Sequence, residues 1–200
     1  MMLAQSYGIT VTRKQTLQME TYISLLRGIN VSGQKRIQMS ALKALYEELK
    51  FKGIITYIQS GNVIFRASKN VSRQELSKRI EEKIREKYDF DVPVIIRTLA
   101  EMKKTLSLNP FLNKKGIDTE RLYVTFLVET PKQADRKSIE KFDCSPDKFI
   151  IVDKEVYLQC PHGYGKSKIS NNAIENKLKI TATTRNWKTV STLVELASNE

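Results

Sequence analysis

From Tyr22 onward the chain alternates short apolar runs with longer stretches in which apolar residues recur every three or four positions. The run Tyr22-Ile23-Ser24-Leu25-Leu26 is rich in β-formers and stops at Arg27-Gly28, so it reads as a strand followed by a polar loop reaching Gly33. Leu42, Leu45, Tyr46 and Leu49 then fall at i, i+3, i+4 and i+7, the spacing of one helix face, with Gly53 closing that helix from beyond its end. Residues 54–58 and 63–65 predict two short strands joined through Ser60-Gly61-Asn62. Ser72 followed by Glu75 is a capping box, and Leu76, Ile80 and Ile84 form the apolar stripe behind it. A strand over 92–96 leads to a second box, Thr98 with Glu101, opening a helix that Asn109-Pro110 ends.

The same order then repeats. A strand over 122–128 precedes Thr130-Pro131, an N-cap with proline at the first helical position, and Ala134, Ser138 and Phe142 would face inward. Residues 149–152 and 156–158 form a hairpin across Asp153-Lys154. Ser170 caps a helix carrying Ala173, Ile174 and Leu178, a short strand follows over 179–183, and Trp187, Val190, Val194 and Ala197 mark a last amphipathic helix. Both halves read βαββαβα. Each contains the ferredoxin-like βαββαβ arrangement, in which helices cover one face of an antiparallel sheet. The expectation is an α+β fold of two ferredoxin-like halves, each followed by an extra helix. The first spans 21–108 and the second 121–197, with a connector over 109–120 and a flexible extension over 1–20. The repetition is of element order rather than of residues.

Composition adds charge and compartment. Thirty-four Lys and Arg against 22 Asp and Glu leave +12 in a chain of 200 residues. Such an excess speeds encounter with polyanions and so bears on partners rather than on fold. Cys144 and Cys160 are the two cysteines and form no C-x-x-C pair, which points to a reduced, cytoplasmic setting. No apolar run approaches the length of a membrane span, and residues 1–20 lack the apolar core of a signal peptide.

Motifs for chemistry are sparse. Gly165-Lys166-Ser167 has the end of a phosphate-binding P-loop, but the position of its required first glycine is held by Cys160. Gly163 and Gly165 begin a dinucleotide fingerprint whose third glycine is replaced by Lys168. One histidine, His162, and two scattered cysteines give no metal-ligand spacing and no nucleophile–base pair, so no metal and no cofactor is expected. Glu47, Glu48, Glu81, Glu82 and Glu175 fall on helices whose other positions supply the core, and read as solvated faces. Two segments suit an anion: Gly163–Lys168, rich in donors and cations, and Thr183-Thr184-Arg185-Asn186-Trp187, read as the start of the final helix, where free N–H groups favour negative charge. Aromatic residues on the strands lack the RNP signature of the ferredoxin-like RNA-binding modules.

Several longer motifs are distinctive together: Leu26-Arg27-Gly28-Ile29-Asn30-Val31, Thr56 through Phe65, Asp91-Val92-Pro93-Val94, Asn109-Pro110-Phe111 and Thr183 through Val190. With them the sequence resembles the bacterial domain of unknown function 1697 family, in order, from about residue 21 to residue 197, and Gly163–Lys168 resembles that family's glycine–serine–lysine loop. The resemblance implies an α+β fold with duplicated halves and no known activity, so no catalytic residue is carried over from it. It places the distinctive motifs on turns and element ends, where scaffolds display function. If these converge, they line a ligand site of Arg27, Asn30, Asn62, Lys166, Ser167 and Arg185. The leading expectation is a protein that binds an anionic ligand, nucleic acid included, through its basic loops. The alternatives are an enzyme acting on a small phosphorylated metabolite between the halves, and a protein-interaction module using a sheet edge.

Overall fold

The structure is a computed structural model describing residues 18–31, 33–113 and 115–199, so most of the extension expected over 1–20 lies outside the described residues. The first half runs β1 (Met19–Leu26), α1 (Met39–Glu48), β2 (Lys52–Tyr57), β3 (Asn62–Ser68), α2 (Arg73–Tyr88), β4 (Val94–Thr98) and α3 (Leu99–Ser107). The second runs β5 (Leu122–Leu127), α4 (Gln133–Glu140), β6 (Lys148–Val152), β7 (Glu155–Gln159), α5 (Asn171–Leu178), β8 (Ala182–Asn186) and α6 (Trp187–Ser198). Two four-stranded antiparallel sheets result, ordered β2-β3-β1-β4 and β6-β7-β5-β8. This is the ferredoxin-like strand order, made twice. The α+β duplication read from the sequence is therefore the fold.

Each sheet is buried on both faces, rather than on one. Tyr22, Leu26, Val63 and Phe65 face α1 and α2 in one core. Leu127, Val156, Leu158 and Ala182 face α4 and α5 in another. The opposite faces meet in a third core shared by the halves, where Ile23, Leu25, Ile64 and Ile95 pack with Val124, Phe126 and Tyr157. Met102 of α3 and Val190, Leu193 and Ala197 of α6 complete it. Two-sided burial explains why β1 and β5 read as mostly apolar runs, interrupted only by the buried hydroxyls of Ser24 and Thr125 over residues 22–26 and 122–127, instead of alternating ones. Each large side chain so buried contributes about 1.5–3 kcal/mol.

Local chemistry sets most element ends. Thr98 and Glu101 form the reciprocal capping box, Ser72 accepts from the Glu75 N–H, and Ser170 accepts from the Ala173 N–H. Several boundaries differ from expectation. Lys50 (φ 65°), not Gly53, ends α1, and Gly53 falls where the β2–β3 register slips. The helix after Pro131 starts two residues late, with Lys132 as N-cap and Ile139 as its buried residue, and Ala134 and Ser138, expected to face inward, are exposed. The fourth strand of each half sits two or three residues later than read. Lys179, expected in a strand, instead ends α5 in the left-handed region (φ 59°).

Candidate functional site

The halves are joined by two buried arginines in matching positions. Arg97 is the fourth residue of β4, and Arg185 the fourth residue of β8. Arg97, 2% exposed, donates from Nη2 to the Leu127 carbonyl at 2.6 Å and from Nη1 to the Ile96 carbonyl at 3.2 Å. Arg185, 7% exposed, donates from Nη2 to the Leu26 carbonyl at 2.8 Å and from Nη1 to the Thr184 carbonyl at 2.9 Å. Leu26 and Leu127 end the matching strands β1 and β5. The strand edges beside the arginines are sealed alike: Glu81 accepts from the Val94 N–H and Glu175 from the Ala182 N–H. Ser77 donates to the Val94 carbonyl, and Asn171 to the Ala182 carbonyl. The duplication thus extends to individual hydrogen bonds.

The two arginines differ in what neutralises them. Arg97 Nε meets Glu155 Oε1 at 3.0 Å, a buried ion pair. At the matching first position of β3 stands Asn62, whose Oδ1 accepts from Arg185 Nε at 2.5 Å. Arg185 therefore has only neutral partners among the described residues: Asn62, Thr183 Oγ1 at 2.8 Å, and the carbonyls of Leu26, Ser60 and Thr184. Its five N–H donors are all engaged. Burial pulls its pKa down to about 10, which leaves it charged at neutral pH.

Arg185 forms part of the wall of a cleft of about 590 Å³ at the junction of the halves. The loop after β1 lines one side with Arg27, Gly28, Ile29, Val31, Gln34 and Lys35; Tyr164, Asn171, Asn172 and Thr184 line the other. No acidic residue lines the cleft among the described residues. Arg27 grips Glu175 with two nitrogens, Nε at 2.7 Å and Nη2, while Nη2 also meets Asn172 at 3.0 Å. Arg27 Nη1 and the N–H groups of Gly28 and Ile29 carry no acceptor among the described residues. Gly28 has φ +74° and open space where a Cβ would stand. Thr184 Oγ1 binds Tyr164 Oη at 2.9 Å, Thr125 Oγ1 at 2.7 Å and Asn171 Oδ1 at 3.2 Å, fixing that wall.

Of the six expected residues Arg27 and Arg185 line the cleft and Asn62 is bonded to Arg185 behind it, whereas Asn30, Lys166 and Ser167 are not among its lining residues. Arg185 sits inside β8 and not at a helix start; Asn186 is the N-cap of α6, accepting from the Thr189 N–H at 2.7 Å. Asn62 is buried, clamping Arg185 and donating to the Tyr57 carbonyl. Asn30 ties the loop down, bonding the Ile37 backbone and the Gln59 carbonyl. Lys166 is exposed on a short 3₁₀ turn, and Ser167 donates to Asp147 at 2.7 Å. Sequence reasoning missed Arg97, Lys35 and Tyr164, and read Glu175 as solvated where it is the partner of Arg27. Aligning the halves at Val94-Ile95-Ile96-Arg97 and Ala182-Thr183-Thr184-Arg185 exposes the arginines, since a charge inside so short a strand needs a buried partner.

Fold and site define a duplicated ferredoxin-like α+β protein with a basic cleft where its halves meet. The chain belongs to the family described as protein of unknown function (DUF1697), whose profile matches residues 19–157. The solved structure of the conserved bacterial protein SP0830 from Streptococcus pneumoniae is similar in fold, with a TM-score of 0.71 and 21% sequence identity over 90% of this chain and 99% of that one. No curated protein sequence matches significantly. Among the described residues no helix is long and apolar enough to cross a membrane, and no group of three His, Cys, Asp or Glu is placed to hold a metal ion.

Proposed function

We propose that the protein binds a small anionic ligand in the cleft between its halves. The observation that carries this reading is the asymmetry of the two arginine clamps: Glu155 neutralises Arg97, whereas Asn62 leaves Arg185 without a counter-charge in the cleft wall. The neighbouring donors act in the same direction. Arg27 occupies the position that Val128 holds in the other half: Arg27 N–H bonds the Pro93 carbonyl as Val128 N–H bonds that of Thr181. Lys35, the N–H groups of Gly28 and Ile29, which meet no acceptor among the described residues, and the acid-free first turn of α5 add further positive character. A volume of about 590 Å³ suits a metabolite-sized molecule. No nucleophile is paired with a base in the cleft among the described residues, and the reading favoured is binding rather than catalysis.

The nucleic-acid reading rests on the net charge of +12, and the strand-addition reading finds the β4 and β8 edges closed by Glu81, Ser77, Glu175 and Asn171. Buried, unbridged Cys144 and Cys160 suit a reducing compartment such as the cytoplasm.

The test is thermal unfolding of the full chain with pyrophosphate, against sodium chloride at matched ionic strength, for the wild type, Lys35→Gln and Asn62→Asp. Saturable stabilisation is expected, with affinity about tenfold weaker in each variant, the loss of roughly one charge-assisted interaction. Stabilisation no greater than that from chloride, or equal in all three proteins, would defeat the reading. A single-stranded oligonucleotide in the same assay separates a polymer from a small ligand: binding that disappears at physiological salt is generic attraction.

A further inference from the structure

The cleft is lined by two chemically different sets of residues, and from them we infer that its ligand class is the nucleoside monophosphates: a phosphate ester carried by a planar, hydrogen-bonding ring. The inference rests on the anion-binding reading above. The charged set consists of Arg27, paired with Glu175 through Nε and Nη2 but with no acceptor for Nη1 among the described residues, Lys35, whose Nζ also donates to the Asp91 carbonyl, and the N–H groups of Gly28 and Ile29, which meet no acceptor among the described residues. Such convergent donors suit the several oxygens of a phosphate. Gly28 keeps that space open, since no protein atom lies within 4 Å of where a side chain would start.

The rest of the lining is neither basic nor purely polar. Tyr164 presents an aromatic ring fixed by its neighbours: it packs on Tyr123 with ring centroids 5.2 Å apart, and its hydroxyl is held by Thr184. Val31, also lining the cleft, is 56% exposed, a large apolar side chain left in water. The amides of Gln34 and Asn172 also line the cleft. Asn172 touches Arg27, and its neighbour Asn171, engaged by Thr184 and the Ala182 carbonyl, touches the residue that holds Tyr164, so the start of α5 links the charged and aromatic sets. A flat ring in contact with apolar and aromatic surfaces, its edge bonded by amides, is how a nucleobase is held. A bare oxyanion would leave these aromatic and apolar surfaces unused. A sugar phosphate would reach it without a flat face to offer Tyr164 and Val31.

The experiment is isothermal titration of the full chain with the common nucleoside monophosphates, ribose phosphate, and a nucleoside without phosphate. It is run on the wild type, Lys35→Gln, Tyr164→Leu and Tyr164→Phe, with folding checked by circular dichroism. At least one nucleotide is expected to bind about tenfold or more tighter than ribose phosphate, the scale of one base–aromatic contact. Tyr164→Leu should erase that preference without weakening ribose phosphate, Tyr164→Phe should keep it, and Lys35→Gln should weaken both phosphates. Nucleotides binding no tighter than ribose phosphate, with both still sensitive to Lys35→Gln, would overturn the assignment of the base and leave the anion reading standing. If no phosphate compound binds, both fail. If Tyr164→Leu misfolds, the inference stands on Tyr164→Phe and the nucleotide-to-sugar ratio, and loss of preference in the folded Phe variant would overturn it.

Discussion

Arg185 Nε lies 2.5 Å from Asn62 Oδ1, in the place where Arg97, its counterpart in the other half, meets the carboxylate of Glu155. One duplicated contact has kept its geometry and changed its charge. Arg185 still performs the structural task of its twin, gathering carbonyls from the ends of β1 and of the turn before β3.

That task predicts a large stability effect. Arg185→Met should destabilise the chain by about 3–5 kcal/mol in urea unfolding, because the Leu26 and Ser60 carbonyls and Asn62 lose their donor in a buried site. Arg185→Lys should recover little of it, since a single ammonium cannot span the acceptors that a planar guanidinium reaches.

Gly61 sits beside this clamp at φ +75°, and a Cβ there would stand 2.7 Å from Ile29 Cδ1 and 2.8 Å from Leu26 Cβ. Gly61→Ala therefore combines backbone strain with overpacking, and a loss of about 2–4 kcal/mol is expected in chemical denaturation. Gly28→Ala meets no such obstacle and should cost only its backbone strain, about 1 kcal/mol, while intruding on ligand space.

Lys166 and Ser167 separate a surface cation from a structural hydroxyl. Lys166→Gln should leave pyrophosphate affinity unchanged, as its side chain is exposed and outside the cleft lining. Ser167→Ala should lower stability by about 1–2 kcal/mol, because it removes the donor to the buried Asp147 carboxylate. A matched drop in affinity for Lys166→Gln would show that the loop reaches the ligand.

Alkaline pH should unfold the protein cooperatively. Burial raises the Tyr22 hydroxyl to about 12, and also raises those of Tyr46 and Tyr157. For a phenol raised in the folded state, the stabilisation is complete below the unfolded value near 10 and is lost as pH climbs through the folded values. Arg185 acts with the opposite sign, since burial lowers its pKa, but it is one group against three. The midpoint for unfolding in urea should fall steadily above pH 10, and the share of phenolate absorbance contributed by Tyr22, Tyr46 and Tyr157 should appear with unfolding rather than ahead of it.

The fold was legible because its signals are local: the stripe of Leu76, Ile80 and Ile84, the capping box of Thr98 and Glu101, and the largely apolar runs of β1 and β5. Strands were misplaced where the sequence lacked such signals. Ala182-Thr183-Thr184-Arg185-Asn186 is neither apolar nor alternating, since its partners include α5 and the first half. The candidate site was legible only in part, at Arg27, Asn62 and Arg185. What joins those three is spatial: Arg185 meets Asn62 across 123 positions of chain, and Arg27 meets Glu175 across 148. No periodicity encodes such pairings. Glu175 looked solvated because its helix is amphipathic, and its partner comes from the other half.

The core shared by the inner faces of both sheets makes each half the missing partner of the other. Ile23, Leu25, Ile64 and Ile95 share their core with the second half, with α3 and with Phe111 of the connector. A chain severed in the connector between α3 and β5 would then behave as an obligate heterodimer: two fragments, sticky and poorly folded apart, that restore the native assembly when mixed. The molecule is in effect a tethered pair, and its tether sets the effective concentration at which the two pieces meet.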